Sequence, residues 1–291
     1  MKVAVYGRLL KARDVGHVQQ LFDLLPKHNF EVVVEENYYS HLVNRIETHG
    51  AGTFTGETGL NGDVDYLICM GGDGTLLDTI ALVRSSRIPV LGINIGRLGF
   101  LATIGVDQME QAVQALVNKT YSLDERTLIH LDSNRTLFPG ANFALNEFTI
   151  HKKDTSSMIT IHTYINGEIL NSYWADGLIV STPTGSTGYS LSCGGPIIFP
   201  TSENFVITPV APHNLNVRPI IVSQNSVISF EVEGRAENFQ CTLDSRYETI
   251  DSSTQLAVRK EDFSVRLIRL DEVNFMNTLR EKLAWGKDKR N

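Results

Sequence analysis

Cysteine is scarce in this sequence, and basic residues are fewer than acidic ones. The three cysteines lie far apart, at positions 69, 193 and 241, so the sequence predicts neither a disulfide framework nor a paired-cysteine metal site. We interpret them as small buried side chains in a reducing cytosol. The 26 Lys and Arg residues against 33 Asp and Glu give a formal net charge of −7, which argues against nucleic acid as a partner.

Long hydrophobic runs are also missing. No apolar run approaches the ~20 residues that span a bilayer, and the first one is broken by Gly7 and Arg8, too soon for a signal peptide. With 42% hydrophobic residues over 291 positions, the chain can still bury a sizeable core in two domains. We therefore expect a soluble, cytoplasmic protein without a membrane partner.

The pattern of apolar residues changes part-way along the chain. Residues 1–121 alternate strand-like and helix-like segments, which predicts an α/β domain with a parallel sheet. One of these helices is predicted over residues 38–50. Residues 122–270 contain short strand-like runs separated by turn residues such as Asn166-Gly167, which predicts a β-rich domain. Residues 271–291 are predicted to form a C-terminal helix.

The segment "MGGDGTLLDT", residues 70–79, follows an apolar strand directly. Thr75 is predicted to open a helix, with Asp78 as its capping-box partner. A strand, a glycine turn and a helix N-terminus together favour a phosphate site. Asp73 does not fit that interpretation, because its charge would repel phosphate. It could instead bind a divalent cation or accept a proton from a substrate hydroxyl group.

The alternative for this segment is a tight turn with a capped helix, which leaves Asp73 unexplained. Other nucleotide motifs are missing: the chain has no GxxxxGK[ST] P-loop and no HRD or DFG kinase motif, and the loop carries no GxGxxG fingerprint. A P-loop enzyme, a protein kinase and a typical dinucleotide-dependent dehydrogenase are therefore disfavoured.

Two later segments are also rich in polar groups. Residues 175–200, "ADGLIVSTPTGSTGYSLSCGGPIIFP", combine hydroxyl side chains with glycines and could bind sugar and phosphate oxygens, with Asp176 accepting from a ribose. A Ser/Thr/Gly-rich hairpin turn is the alternative. Asn146 and Glu147 interrupt an apolar run, which indicates either a buried ligand contact or simply a strand end at the surface.

Five segments together resemble the NAD kinase family in order and spacing. They are "GGDGT" at 71–75, "GINIGRLGFLA" at 92–102, "LNE" at 145–147, "DGLIVSTPTGSTGYSLSCGGPI" at 176–197 and "ITPVAPHNL" at 207–215. Loops similar to the first occur in diacylglycerol and sphingosine kinases and in phosphofructokinases. The long "TPTGSTGYSLS" stretch is the more specific signal.

The resemblance implies an N-terminal α/β domain, a β-rich C-terminal domain, a site between them and a C-terminal helix that packs back on the first domain. It implies transfer of the γ-phosphoryl group of ATP to the 2′-hydroxyl of the adenosine ribose of NAD, giving NADP. A divalent cation, usually Mg²⁺, accompanies ATP, and the family is typically a homodimer or homotetramer. Whether another phosphoryl donor can replace ATP is left open.

The resemblance also assigns residue roles. Asp73 would accept the proton of the 2′-hydroxyl, with Phe100 near the adenine. The positions implied to contact NAD are Asp73, Gly74, Asn146, Glu147, Asp176, Thr187, Gly188, Tyr189, Ser190, Leu191, Ser192 and Ala211.

One departure from the family pattern concerns a turn. Many relatives have Asp-Gly where this chain has Asp244-Ser245, so the role of residues 244–247 stays open. Two alternative functions also stay open: a kinase with the same loop that phosphorylates a lipid or sugar hydroxyl, and a non-catalytic NAD sensor.

Overall fold

The structure, a computed structural model, describes residues 1–56, 60, 62–96, 98–153, 157–270 and 275–284. The chain divides into two compact units, the first formed by residues 1–125 and 265–291 and the second by residues 126–264. Residues 271–274 and 285–291 of the predicted C-terminal segment, and Arg97 of the second family motif, lie outside the described residues.

Strands and helices alternate in the first unit. In chain order they are β1 (Lys2–Gly7), α1 (Val15–Lys27), β2 (Glu31–Glu35), α2 (Glu36–Leu42), β3 (Gly52–Phe54), β4 (Tyr66–Met70), α3 (Asp73–Val83), β5 (Val90–Asn94), β6 (Ile104–Gly105) and α4 (Met109–Asn118). The strands pair in the order β5–β4–β1–β2–β3, and every neighbouring pair is parallel. The carboxyl ends of β1, β4 and β5 therefore share one edge of the sheet.

Helices cover both faces of this sheet. Helices α1 and α4 pack on one face, with Leu21, Phe22 and Leu116 in the same buried cluster as Val5 and Ile68 of the strands. Helix α3 lies against the opposite face, where Leu76 is so close that a Cβ on Gly92 of β5 would meet its methyl group at 2.8 Å. Strands β4 and β5 are buried along their whole length, as expected for a parallel sheet covered on both faces.

The rest of the described chain is mostly strands. They are β7 (Ser122–Ser133), β8 (Phe143–Ala144), β9 (Glu147–Lys152), β10 (Ile159–Ile165), β11 (Glu168–Ala175), β12 (Gly177–Ser181), β13 (Asn204–Val210), β14 (Ile220–Ser223), β15 (Ile228–Glu233), β16 (Phe239–Leu243), β17 (Arg246–Ile250) and β18 (Leu256–Arg269), with one short helix, α5 (Tyr189–Ser192), before β13. The final described helix, α6 (Phe275–Leu283), belongs to the first unit and buries Thr278 and Leu279.

Two antiparallel sheets enclose the core of the second unit. One has the order β11–β10–β15–β18, and the other the order β14–β13–β12–β9–β16–β17. Phe148 of the second sheet packs against Phe230 of the first, with ring centroids 5.6 Å apart. Asn166 and Gly167 both have positive φ in the β10–β11 turn, as an Asn-Gly hairpin requires. The predicted combination of an α/β unit and a β-rich unit is confirmed.

Two local predictions in the first unit were wrong. Helix α3 begins at Asp73, with Gly72 as its N-cap, and not at Thr75. The Asp78 side chain binds Arg8 instead of forming a capping box. Helix α2 ends at Leu42, because Asn44 and His49 both adopt left-handed φ angles, +70° and +51°, that are incompatible with a continuing helix. No helix within the described ranges combines the length and apolar character needed to cross a membrane.

The contact between β1 and α2 yields a stability prediction. A Cβ on Gly7 would lie 2.5 Å from the ring of Tyr38, which is buried at 2% exposure. Because a buried ring cannot move freely, Gly7→Ala should lower the free energy of unfolding by about 1–3 kcal/mol, measured by chemical denaturation. Gly16→Ala in α1 is the control, since a Cβ there meets nothing within 4 Å, and equal destabilisation by both changes would contradict the steric explanation.

Candidate functional site

The carboxylate of Asp73 receives three hydrogen bonds from consecutive backbone N–H groups. Phe100 N donates to Oδ2 at 2.7 Å, and Leu101 N and Ala102 N donate to Oδ1 at 3.0 Å each. We call this arrangement the Asp73 clasp. Because each carboxylate oxygen has two lone-pair positions, Oδ1 is fully used and Oδ2 keeps one position for a further donor.

Gly99 makes the clasp possible by having no side chain. A Cβ at position 99 would lie 1.8 Å from Asp73 Oδ1, which is far inside any van der Waals contact. The glycine therefore allows the 100–102 backbone to approach the carboxylate closely. Sequence reasoning attached no importance to Gly99, although it lies within a quoted motif.

Arg8 holds the first turn of α3 from the end of β1. Its guanidinium group donates to the carbonyl oxygen of Gly74 at 2.9 Å and to the carboxylate of Asp78 at 2.5 and 2.9 Å. Tyr6 adds a bond to the same carboxylate at 3.2 Å. Arg8 was missed by sequence reasoning, because a single arginine after a strand carries no local signal for a partner about 70 residues away.

A cavity of about 360 Å³ opens at the carboxyl ends of β1, β4 and β5. Its lining includes the basic side chains Arg8, Lys11 and Arg13, together with Gly71 and Gly72 at the start of α3. Positive side chains and the N-terminus of an α-helix both favour an anion. The cavity thus has the chemistry of a phosphate site, as the sequence predicted for this loop, although the acidic Asp14 also lines it.

In the second unit, Asn146 and Glu147 lie beside the Ser/Thr/Gly-rich segment. The carbonyl oxygen of Asn146 accepts from Thr182 N at 2.9 Å, and a Cβ on Gly185 would meet the same oxygen at 2.2 Å. A Cβ on Gly188 would lie 3.4 Å from Glu147 Oε2 and 3.9 Å from Asn146 Nδ2. The structure therefore brings together three of the predicted NAD contacts, Asn146, Glu147 and Gly188.

Asp244 forms a second clasp of the same kind. Its carboxylate accepts from the backbone N–H groups of Leu145 (2.9 Å), Asn146 (2.8 Å) and Glu147 (3.2 Å). Asp244 itself has the left-handed φ of +53° in the β16–β17 turn. The left-handed residue of this turn is therefore Asp244 and not Ser245, so position 245 does not require a glycine. We call this arrangement the Asp244 clasp.

Three of the other predicted contacts of this unit have side-chain partners within the protein. Asp176 forms an ion pair with Lys152, with Oδ1 and Nζ 2.6 Å apart. The Tyr189 ring stacks on His151 at 5.6 Å between centroids. The buried Ser190 hydroxyl bonds Thr208 at 2.8 Å, and Ala211 has a positive φ of +45°.

The remaining three predicted contacts, Thr187, Leu191 and Ser192, lie in the short helical segment that follows Gly185. The Thr187 hydroxyl donates to the carbonyl oxygen of Thr184 at 3.2 Å. For all these positions, contact with NAD stays a prediction.

Comparison with known proteins decides the family. Residues 5–121 match the model of the ATP-NAD kinase N-terminal domain, and residues 145–270 match that of the C-terminal domain. The chain belongs to the NAD kinase family. An NAD kinase of Cytophaga hutchinsonii is 52% identical over 293 aligned positions, which cover 100% of both chains.

Two solved structures share the NAD kinase fold. Yeast NADH kinase complexed with NADH superposes with a TM-score of 0.84 at 21% identity, covering 99% of this chain and 88% of the yeast chain. An NAD kinase from Archaeoglobus fulgidus in complex with ATP gives a TM-score of 0.76 at 24% identity, covering 98% and 99%. Family membership confirms the predicted class of enzyme, a kinase acting on NAD with ATP, over the lipid or sugar kinase and the sensor.

The Asp73 clasp predicts a loss of activity without any change to a reactive group. Gly99→Ala keeps the carboxylate but forces it away from the 100–102 backbone. Because a displacement of about 1 Å in a catalytic group can cost roughly 10²-fold in rate, NADP formation should fall by that order. Gly62→Ala, where a Cβ meets nothing within 4 Å, should match the unmodified protein. A fully active Gly99→Ala enzyme would show that the clasp is not needed.

Proposed function

We propose that this chain transfers the γ-phosphoryl group of ATP to the 2′-hydroxyl of the adenosine ribose of NAD, with Asp73 as proton acceptor. The observation that carries the assignment to Asp73 is the arrangement of its donors. Three backbone N–H groups fix the carboxylate, while Oδ2 retains one unused lone-pair position. A fixed carboxylate with one open position suits a base that must meet a hydroxyl group in a defined direction.

The cavity beside the α3 N-terminus is proposed to take the phosphates of ATP. Arg8, Lys11 and Arg13 line it and would offset the charge of a triphosphate. Among the described residues, no group of three acidic, histidine or cysteine side chains could hold a metal ion. A divalent cation, Mg²⁺ in this proposal, would therefore arrive as Mg-ATP and take most of its ligands from the triphosphate.

Binding of NAD is proposed to involve Gly74 and the predicted residues of the second unit. Asn146 and Glu147 are held through their backbone atoms, so these bonds use none of the polar atoms of their side chains. Gly188 packs closely against these two side chains, since a Cβ there would lie 3.4 Å from Glu147 Oε2 and 3.9 Å from Asn146 Nδ2. Asp176, Thr187, Tyr189, Ser190, Leu191, Ser192 and Ala211 are proposed to complete the contacts.

A cytoplasmic homodimer or homotetramer is part of the proposal. Apolar side chains are exposed on the second unit, with Leu215 at 87%, Ile169 at 59% and Ile221 at 50%. We propose that these side chains contribute to the subunit interface. The three free cysteines support a reducing compartment.

Asp73→Asn tests the proton acceptor. The change keeps the size of the side chain and removes the base, so NADP formation from NAD and Mg-ATP should fall by about 10²- to 10⁴-fold. The Kd for NAD, measured by calorimetry without ATP, should change little.

The amide introduced by Asp73→Asn would also weaken the Asp73 clasp, so the variant must be compared with Gly99→Ala. In Gly99→Ala the clasp is strained, but the base is still present. Its rate of NADP formation should therefore exceed that of Asp73→Asn at every pH. Equal NADP formation by Asp73→Asn and the unmodified protein would overturn the role of Asp73 as base. Tight NAD binding without any NADP formation by the unmodified protein would overturn the proposed reaction itself.

A further inference from the structure

Glu147 carries a buried carboxyl oxygen for which the described protein offers no partner. Its Oε2 atom is inaccessible to solvent and has no hydrogen bond. Buried polar atoms normally have partners, and an ionised carboxylate in such a place is especially costly. The atom faces Gly188, whose Cβ would be 3.4 Å away, within the group of proposed NAD contacts.

The neighbouring acid, Asp244, is in the opposite situation. It accepts three backbone N–H groups, and its own N–H donates to the carbonyl oxygen of Glu147 at 3.0 Å. Arg246, two residues on, donates to the carbonyl oxygens of Ala141 and Phe143 and brings a positive charge near the turn. When two nearby acids share one proton, the acid without donors keeps it.

We propose that Asp244 is the positioning residue of the Asn146–Glu147 pair, and that Glu147 meets NAD as a neutral carboxyl group that donates a hydrogen bond to a nucleotide oxygen. This inference rests on the proposed binding of NAD by these residues. It adds Asp244 to the functional residues and assigns Glu147 a charge state. Neither Leu145 nor the β16–β17 turn needs to touch the ligand.

The electrostatics agree with the geometry. Burial, and then the charge of Asp244, raise the pKa of Glu147 to about 8. Within the described chain, two titratable groups face the Glu147 carboxyl, Asp244 from the β16–β17 turn and the phenol of Tyr189 from α5. Arg246 acts on Asp244, where it and the three amides oppose the rise in pKa that burial causes. A neutral Glu147 also avoids repulsion with the anionic pyrophosphate of a dinucleotide.

The positioning role follows from which atoms the Asp244 clasp holds. Asp244 holds the three consecutive amides of 145–147, so it fixes the backbone from which both side chains extend. Its N–H bond to Glu147 adds a fourth contact on the same segment. These bonds involve only backbone atoms of Asn146 and Glu147, so none of them uses a polar atom of either side chain.

The charge state of Glu147 is tested by the Kd for NAD, measured by calorimetry without ATP from pH 6 to pH 9. The neutral form predominates below the pKa and is lost above it. Binding by the unmodified protein should therefore weaken by about tenfold between pH 7 and pH 9. Glu147→Gln, which is neutral at every pH, should bind with a Kd that is nearly independent of pH. If both proteins show the same pH profile, Glu147 is not the titrating donor and this part of the inference is wrong.

The role of Asp244 is tested at two pH values with Asp244→Asn. At pH 6, where Glu147 is neutral in both proteins, weaker binding reports lost positioning, and we expect about tenfold for one lost charged hydrogen bond. The KM for NAD should rise more than kcat falls. The midpoint of the pH profile should move down in Asp244→Asn, because the negative charge of Asp244 raises the pKa of Glu147 and the variant lacks that charge.

Ser245→Ala provides the matched control in the same turn, because the exposed Ser245 is outside the clasp. It should bind NAD as the unmodified protein does. If Asp244→Asn does not fold, as judged by circular dichroism, Asp244→Glu replaces it. That variant keeps the charge and loses the geometry, so it should bind weakly at pH 6 with an unchanged midpoint.

Unmodified NAD affinity at pH 6 in the folded Asp244 variant would overturn the positioning role. Failure of the unmodified protein to bind NAD at any pH would instead overturn the proposed function, so the two failures are distinguishable.

Discussion

The candidate site of each unit depends on one interaction, a carboxylate that accepts hydrogen bonds from three consecutive backbone N–H groups. Asp73 does this with residues 100–102, and Asp244 with residues 145–147. Hydrogen bonds to a charged acceptor are stronger than those between neutral groups. Since the donors are backbone groups, each clasp defines the path of the chain without using the side chains that follow. The side chains of the held residues can therefore change their contacts while the backbone that carries them stays in place.

Glycine is required in these sites chiefly for close approach. A side chain at Gly99 would overlap Asp73 at 1.8 Å, and one at Gly185 would overlap the Asn146 carbonyl oxygen at 2.2 Å. Neither residue has the positive φ that favours glycine over other residues. By contrast, the positive φ angles at Asp244 and Ala211 belong to residues with side chains. Gly99 and Gly185 are both buried, so close packing and not loop flexibility explains these two glycines.

The layout of the fold could be predicted from the sequence because it depends on local periodicity. The apolar runs around residues 3–6, 66–70 and 90–94 became buried parallel strands, and Asn166-Gly167 became a hairpin turn. The capping-box prediction failed because a distant partner competes with a local one. Asp78 fits a capping box in sequence, but Arg8, 70 residues away, binds it more strongly as a charged partner.

The same limit applied to the site. Asp73, Asn146 and Glu147 could be found from unusual polarity inside apolar segments and from the family resemblance. Arg8, Gly99 and Asp244 could not, because their importance lies in contacts with residues far away in the sequence, as in the 98 positions between Asp244 and Asn146. A single arginine, glycine or aspartate has no pattern around it that specifies such a partner. Only the folded backbone, which brings the 100–102 and 145–147 amides to these carboxylates, gives them a role.

Comparison of the three acids shows how the fold can assign different chemistry to the same functional group. Asp73 and Asp244 each have three N–H donors, whereas Glu147 has a buried oxygen without any. Donors stabilise the ionised form, and burial without donors stabilises the neutral form. A carboxylate with an open lone pair can accept a proton, and a neutral carboxyl group can donate a hydrogen bond to an anionic nucleotide. In the proposed mechanism, the positions of the backbone amides thus decide which acid accepts a proton and which donates a hydrogen bond.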